Sequence, residues 1–156
     1  MQLQPLAVHH VEEMASLLDD PELYVFIGGQ PASVEKLRHR YQRQVVGCSA
    51  DGRQRWCNWV VRHRHDGRAV GTVQATVVED PEHLAAEVAW VIAREHQRKG
   101  YAREAAQVMM AWLLDCGVDR VVAYIHPQHE ASIAVARAVG LTATTKLVDG
   151  EVRWEM

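Results

Sequence analysis

The 156-residue sequence predicts an α/β (α+β) fold: one mixed, mostly antiparallel sheet, a parallel β-α-β unit in the C-terminal half, and helices on both faces. Three observations carry that expectation. Asp66-Gly67 and Asp149-Gly150 each interrupt Val- and Thr-rich runs, which is the signature of hairpins and hence of antiparallel pairing. Between them an extended run, an amphipathic helix and a second apolar run succeed one another at crossover spacing, and such crossovers join parallel strands with right-handed sense. The length fits one domain at roughly 150 residues per domain, so residues 1–156 are expected to form a single unit.

The elements follow in order. A short strand at about Gln2 to Leu6 precedes a helix from Val11 to Leu18. Ser33 is suited to N-cap a second helix, with Lys36 standing where a capping box would want Glu, and Leu37, Tyr41 and Val45 recur at helical spacing down to Gly47. Trp56 to Arg64 and Ala69 to Val78 form the first hairpin across a two-residue turn. Glu87 to Ala93 is a further strand, and the polar, basic stretch Arg94 to Arg103 leads from it into a helix. There Ala102, Ala105, Met109, Trp112, Leu113 and Cys116 repeat at helical spacing until Gly117 stops it. Arg120 to Ile125 reads as a buried strand, His126-Pro127 as a break, and an Ala/Val-rich helix runs to Val139 with Gly140 as its stop. Thr142 to Val148 and Val152 to Met156 make the second hairpin, whose exposed edge could pair across a homodimer.

Composition narrows the function. Hydrophobic residues at 48% and charged residues at 24% match soluble globular chains and exclude collagen-like, mucin-like and disordered ones. A net charge of -3 argues against a nucleic-acid partner. The start Met1-Gln2-Leu3-Gln4-Pro5 lacks a secretory pattern, and the longest apolar run, Val108 to Leu114, is far short of the roughly 20 residues a membrane span needs; a cytoplasmic protein without membrane contact is expected. Cys48, Cys57 and Cys116 share no C-x-x-C spacing and are expected as reduced, mostly buried thiols. His9-His10, His63-x-His65 and His126-x-x-His129 lack a spaced third ligand, so no metal is expected. Trp56, Trp59, Trp90 and Trp112 are assigned to the core, and Arg38-His39-Arg40 to a solvated helix face.

One stretch carries chemistry. Gln97-Arg98-Lys99-Gly100-Tyr101-Ala102 lies between a strand end and a helix start, where unpaired amides and the helix dipole suit a phosphate. Gly100 lets the backbone approach a ligand that a Cβ would obstruct. From Arg94 to Arg103, four Arg or Lys oppose one Glu, a cationic spot inside an anionic chain.

Gln97, Gly100 and Ala102 resemble the Q/R-x-x-G-x-G/A motif of the GNAT superfamily of acetyl-CoA-dependent N-acetyltransferases. The flanking order of elements is similar too: strand before, amphipathic helix after, then the parallel strand. His126-Pro127-Gln128-His129-Glu130-Ala131-Ser132 resembles the superfamily's N-x-x-S/A helix entry, and the likeness extends over essentially the whole chain. Asp20 to Ile27, Val70-Gly71-Thr72 and Ala86 to Ile92 look most like the RimJ/RimL-like branch. Two departures stand out: His129 replaces the family's Asn, and Ala136 replaces the Tyr often used as general acid.

The resemblance implies acetyl-CoA as cofactor and an amine acceptor: a protein N-terminus, an amino acid or a small amine. It implies that the amides of Arg98, Lys99, Gly100, Tyr101, Ala102 and Arg103, with Gln97, hold the pyrophosphate. The N–H near Val91 would polarise the thioester, and His129 and Ser132 would sit near the sulfur. Tyr24, Phe26 and Gly28, in a mobile-looking loop, would line the acceptor side. An alkylamine near pKa 10.4 is protonated at neutral pH, so a base is needed before an acid. Glu87 is the candidate, its other reading being an exposed alternate position on a half-buried strand. Ser132, the second catalytic candidate, has an N-cap role as its alternative, and His126 and His129 are either proton shuttles or packing residues. A non-catalytic acyl-CoA-binding module with the same fold is the competing reading, favoured by the two departures.

Overall fold

The structure is a computed structural model describing residues 1–79 and 81–156. In chain order the elements are β1 (Gln2–Pro5), α1 (Val11–Leu17), α2 (Tyr24–Ile27), α3 (Val34–Gln44), β2 (Gln54–Arg62), β3 (Ala69–Glu79), β4 (Leu84–Ile92), α4 (Tyr101–Asp115), β5 (Arg120–Ile125), α5 (Glu130–Ala138), β6 (Thr142–Val148) and β7 (Glu151–Glu155). The seven strands form one sheet in the order β1-β2-β3-β4-β5-β7-β6. Its β4–β5 pair is parallel and the others are antiparallel, as the crossover and hairpin signals predict.

Strand alternation assigns the two faces. Val73, Ala75 and Val77 of β3 are buried beneath α4, whose Ala105, Met109 and Leu113 follow at i+4 intervals with no exposed surface. On the opposite face Val60 packs with Val11 and Met14 of α1 and Leu37 and Tyr41 of α3. These two helices cover only the β1–β3 side, so Thr72, Gln74 and Thr76 floor an open groove with the exposed Glu87. Ser33 caps α3 as expected, its Oγ accepting from Lys36 N at 3.2 Å.

Several expectations change. The first hairpin does not turn in two residues: His63 N donates to Arg68 O at 2.8 Å, leaving Arg64–Gly67 as the loop. Asp66 Oδ1 instead accepts from Arg68 N at 3.1 Å, which stabilises the longer loop. Asp149-Gly150, with φ of 51° and 84°, is a true two-residue turn. Cys48 and Cys116 are exposed and Cys57 is half-buried, because Cys116 sits at the C-cap of α4 and Cys48 on a peripheral bridge to Arg55. Trp112 lies on the flank of α4, 43% exposed, with its ring edge-on to Trp59. The Tyr24 to Gly28 segment is largely helical, anchored by Tyr24 Oη donating to Leu18 O at 3.2 Å. Arg38 is held in an ion pair with Glu12 at 2.6 Å. Among the described residues no helix is long and apolar enough to cross a membrane.

At Gly71 the β4 backbone leaves no room for a side chain: a Cβ there would collide with Val91 O and lie 2.9 Å from Ile92 Cα. Both contacts are backbone and cannot rotate away, so Gly71→Ala is expected to destabilise by about 2 kcal/mol or more, read as a lower urea midpoint at unchanged m. His10 is 2% exposed; its Nδ1 accepts from Ala7 N at 3.0 Å and its Nε2 has no partner among the described residues. Burial, then the His9 and Arg62 charges, hold its pKa below the usual value against the Glu13 charge. The unfolded chain therefore takes up the proton first as pH falls through about 6.5, and stability declines by at most about 1.4 kcal/mol per pH unit from this group. His10→Asn keeps an acceptor for Ala7 N and should flatten that decline in urea melts between pH 7 and 5.5, pH values set by the reference histidine.

Candidate active site

Strand β4 has two unequal edges. It pairs with β3 from Leu84 to Ile92, but with β5 only from Ala85 to Glu87. Beyond Glu87 the strands part, and the gap is bounded by Val88 to Trp90 on one side and Ala123 to Ile125 on the other. Alternation decides which groups face it. Ala93 N donates to Val70 O at 2.9 Å, which sends the odd-numbered backbone groups of β4 toward β3. Leu84 O accepts from Asp119 N at 3.0 Å and Ile92 O from Gln97 Nε2 at 3.0 Å, so the even-numbered groups face β5. The amide of Val91 is thus committed to β3, and the N–H groups near it that face the gap belong to Trp90 and Ile92. The N–H expected near Val91 therefore corresponds to that of Trp90 or Ile92, and Val91 itself lines the adjoining cavity.

At the end of β4 the chain makes a 3-10 turn, Arg94–His96, and enters α4 through Arg98 and Gly100, with φ of 62° and 80°. Gly100 adopts this left-handed conformation without strain, and a Cβ on it would meet no protein atom within 4 Å among the described residues. The first helical bond is Glu104 N to Gly100 O at 3.0 Å, so the N–H groups of Tyr101, Ala102 and Arg103 are free of intrahelical partners. Gln97 acts structurally by tying the loop to Ile92 O, and Lys99 Nζ donates to Glu95 O at 3.0 Å. The Tyr101 ring packs against the core and near His63 and His96, leaving its backbone toward the loop. The result is a row of amide donors in a cationic setting, open to solvent.

A cavity of roughly 370 Å³ runs from this loop into the gap, lined by Gln97, Ala102, Trp90, Ile92, His129 and Ser132 among others. Phe26 of α2 roofs its inner end, stacked on His129 with ring centroids 4.8 Å apart and tilted on His126 at 5.2 Å. Ser132 Oγ lies 3.5 Å from His129 Nε2. Burial and the His126 charge push the His129 pKa down, favouring neutral imidazole. Ser132 is the third residue of α5, whose N-cap is His129, which overturns the N-cap alternative for Ser132. Ala136 is fully buried in the core.

Beyond the gap, on the sheet's open face, Glu87 lines a groove with Glu151, Gln74, Ala89 and Tyr124. Glu151 also reaches the gap beside His126 and Ser132. Burial chiefly, then the Asp149 and Glu87 charges, raise its pKa above the usual carboxylate range against the opposing His126 charge. Phe26 lines the gap, Tyr24 lines a cavity shared by α1, α3 and the Thr72 and Gln74 floor of the groove, and Gly28 is an exposed helix C-cap. Sequence reasoning missed Glu151 and Tyr124. The signal for Glu151 was its position after the Asp149-Gly150 turn, which returns the chain beside β5.

The acetyltransferase (GNAT) domain family matches residues 1–142. No curated protein matches the sequence. RimL, a ribosomal L7/L12 alpha-N-protein acetyltransferase solved with coenzyme A, is similar over 99% of this chain and 92% of its own, with TM-score 0.82 and 18% identity. The ribosomal-protein-S5-alanine acetyltransferase from Vibrio fischeri has TM-score 0.79 and 19% identity, over 99% and 91% of the two chains. The spermidine N-acetyltransferase from Vibrio cholerae, solved with coenzyme A and spermine, has TM-score 0.78 and 18% identity, over 99% and 92%. These structures share the fold, and the family match spans most of the sequence: the chain belongs to the GNAT family of acetyl-CoA-dependent acetyltransferases.

Proposed function

We propose that the chain acts as one acetyltransferase domain of the RimJ/RimL-like kind, moving an acetyl group from acetyl-CoA to a primary amine, with a protein N-terminus as the leading acceptor class. One observation carries the reading: β4 leaves its edge open after Glu87 beside the unpaired amides that begin α4. The RimL and S5-alanine acetyltransferase likenesses support the acceptor class.

The residues present fit coenzyme A. The amides of Arg98 through Arg103 and the α4 dipole suit its pyrophosphate. The alternating N–H and C=O groups of Val88 and Trp90 suit an extended chain bearing amides, as a strand edge does. His129 and Ser132 lie at the inner end of the cavity, where the thioester would reach. When bound, the cofactor supplies an activated acetyl group.

The chain's own residues then divide the work. The N–H groups of Trp90 and Ile92, facing the gap, polarise an acyl oxygen placed there. Glu87 receives the ammonium proton of an amine entering along the groove, and Glu151, sharing that groove, is a stronger base than an ordinary carboxylate. Ser132, beside the neutral His129, offers a hydroxyl toward the sulfur side. Phe26 excludes water from the inner end.

Gly100→Glu places a strained residue and a negative charge at the phosphate cradle; coenzyme A affinity by calorimetry should fall roughly 100-fold or more with the fold retained by circular dichroism. Glu87→Gln should lower kcat/KM for a peptide acceptor roughly 100-fold, followed as free thiol release. Glu151 must be ionised to hold the incoming ammonium beside Glu87, so activity is expected to fall as pH drops through the raised Glu151 pKa. Glu151→Gln should move that acid limb to lower pH. An unchanged rate and pH profile in Glu87→Gln would remove Glu87 from the mechanism.

A further inference from the structure

The groove that begins at Glu87 and Glu151 does not end there. It continues across the sheet over β3 and β2 into a cavity of roughly 360 Å³ whose walls include Arg40, Arg43, Gln44, Trp56, Asn58 and Gln74. Gln74 borders both regions, which lie side by side on one face of the sheet. The register fixes the path: Glu87 pairs with Thr76 and Thr76 with Trp56, and Ala89 pairs with Gln74 and Gln74 with Asn58. Two strand spacings separate Glu87 from the β2 side of this cavity, about 10 Å.

The far end has opposite charge. Among the described residues the side chains of Arg40 and Arg43 have neither a hydrogen bond nor an ion pair, whereas those of Arg38, Arg62, Arg94 and Arg153 are each paired with a carboxylate. The polar floor is ordered, since Gln44 Nε2 donates to Asn58 Oδ1 at 3.3 Å, which leaves the Asn58 amide hydrogens for a ligand. Guanidinium groups recognise carboxylates through paired charge-assisted hydrogen bonds. A groove acidic beside the reacting gap and basic at its far end matches an acceptor with the reverse order, and it repels one carrying a second ammonium there.

We infer that the acceptor is a peptide whose free amine is presented past Glu87 and whose acidic side chain, about 10 Å along, is bound by Arg40 and Arg43. At about 3.3–3.6 Å per extended residue, an Asp or Glu at the third position spans that distance. The inference rests on the amine-acceptor reading above and specifies its substrate.

The test uses the full chain saturated with coenzyme A and hexapeptides with a free N-terminus that differ only at residue 3, carrying Glu, Gln or Lys. Calorimetry should show the Glu peptide binding roughly tenfold more tightly than the Gln peptide, a difference worth about 1.4 kcal/mol. Arg40→Gln with Arg43→Gln should abolish that preference, and Arg43→Glu should turn it toward the Lys peptide, with circular dichroism confirming the fold of each variant. Absence of a preference in the parent protein, or a preference that survives the double substitution, overturns the inference. With acetyl-CoA in place of coenzyme A, selective binding without thiol release supports the anion site and overturns the acetyl-transfer reading. Thiol release with no discrimination among the three peptides does the reverse.

Discussion

The architecture turns on where the parallel pairing of β4 and β5 stops. Three residues, Ala85 to Glu87, hold the two strands together. Past that point β4 stays with β3, and β5 is drawn to β7 through pairs running from Val122–Glu155 to Ile125–Val152. Each strand remains satisfied on its outer edge, so the sheet tolerates an open seam in its middle. Longer pairing would bury the backbone of Val88 and Trp90 in the sheet and remove the cavity that leads to Ser132.

The seam has value only because of what its ends present. At the outer end α4 begins with three unpaired amides beyond a left-handed glycine, inside a stretch whose local charge is opposite to that of the chain. At the inner end Phe26 stacks on His129 and closes the cavity from above. The two faces of the sheet present different groups: the core-side face carries α4 and the free amides that begin it, and the open face carries Glu87, Glu151 and the groove toward α3. Under the proposed function, a cofactor and an acceptor would approach the seam from opposite faces without competing for one entrance.

Electrostatics follows from burial as much as from composition. Glu151 is raised chiefly because it is partly removed from water, and the Asp149 and Glu87 charges add to the effect. His129 is lowered for the same reason, with the His126 charge adding to it. The site thereby gathers a basic carboxylate and a neutral imidazole on neighbouring elements that no stretch of sequence holds together.

Local patterns were sufficient for the strand and helix order, the crossover, the Ser33 cap, the Asp149-Gly150 turn and the glycine before α4, because each depends on neighbours a few residues away. The Gln97 to Ala102 motif was legible for the same reason: an anion cradle is a property of one turn and one helix start. What the sequence left open depends on long-range placement. Two residues of one helix, Trp112 and Cys116, fit the apolar repeat yet lie on its exposed side, since only the packed sheet decides which stripe is covered. Val91 carried the expected motif position, but the hydrogen-bond phase of β4 assigns the open edge to Trp90 and Ile92. Glu151 and Tyr124 come to the site through the pairing of β5 with β7, and Arg40 and Arg43 through the packing of α3 over β2. The sequence by itself determined the element order and the glycine turn that opens α4, both set by short-range geometry. The tertiary structure alone decided which edge opens, which carboxylates share the groove and what charge lies at its far end, because strand phase and helix docking bring together residues distant in the chain.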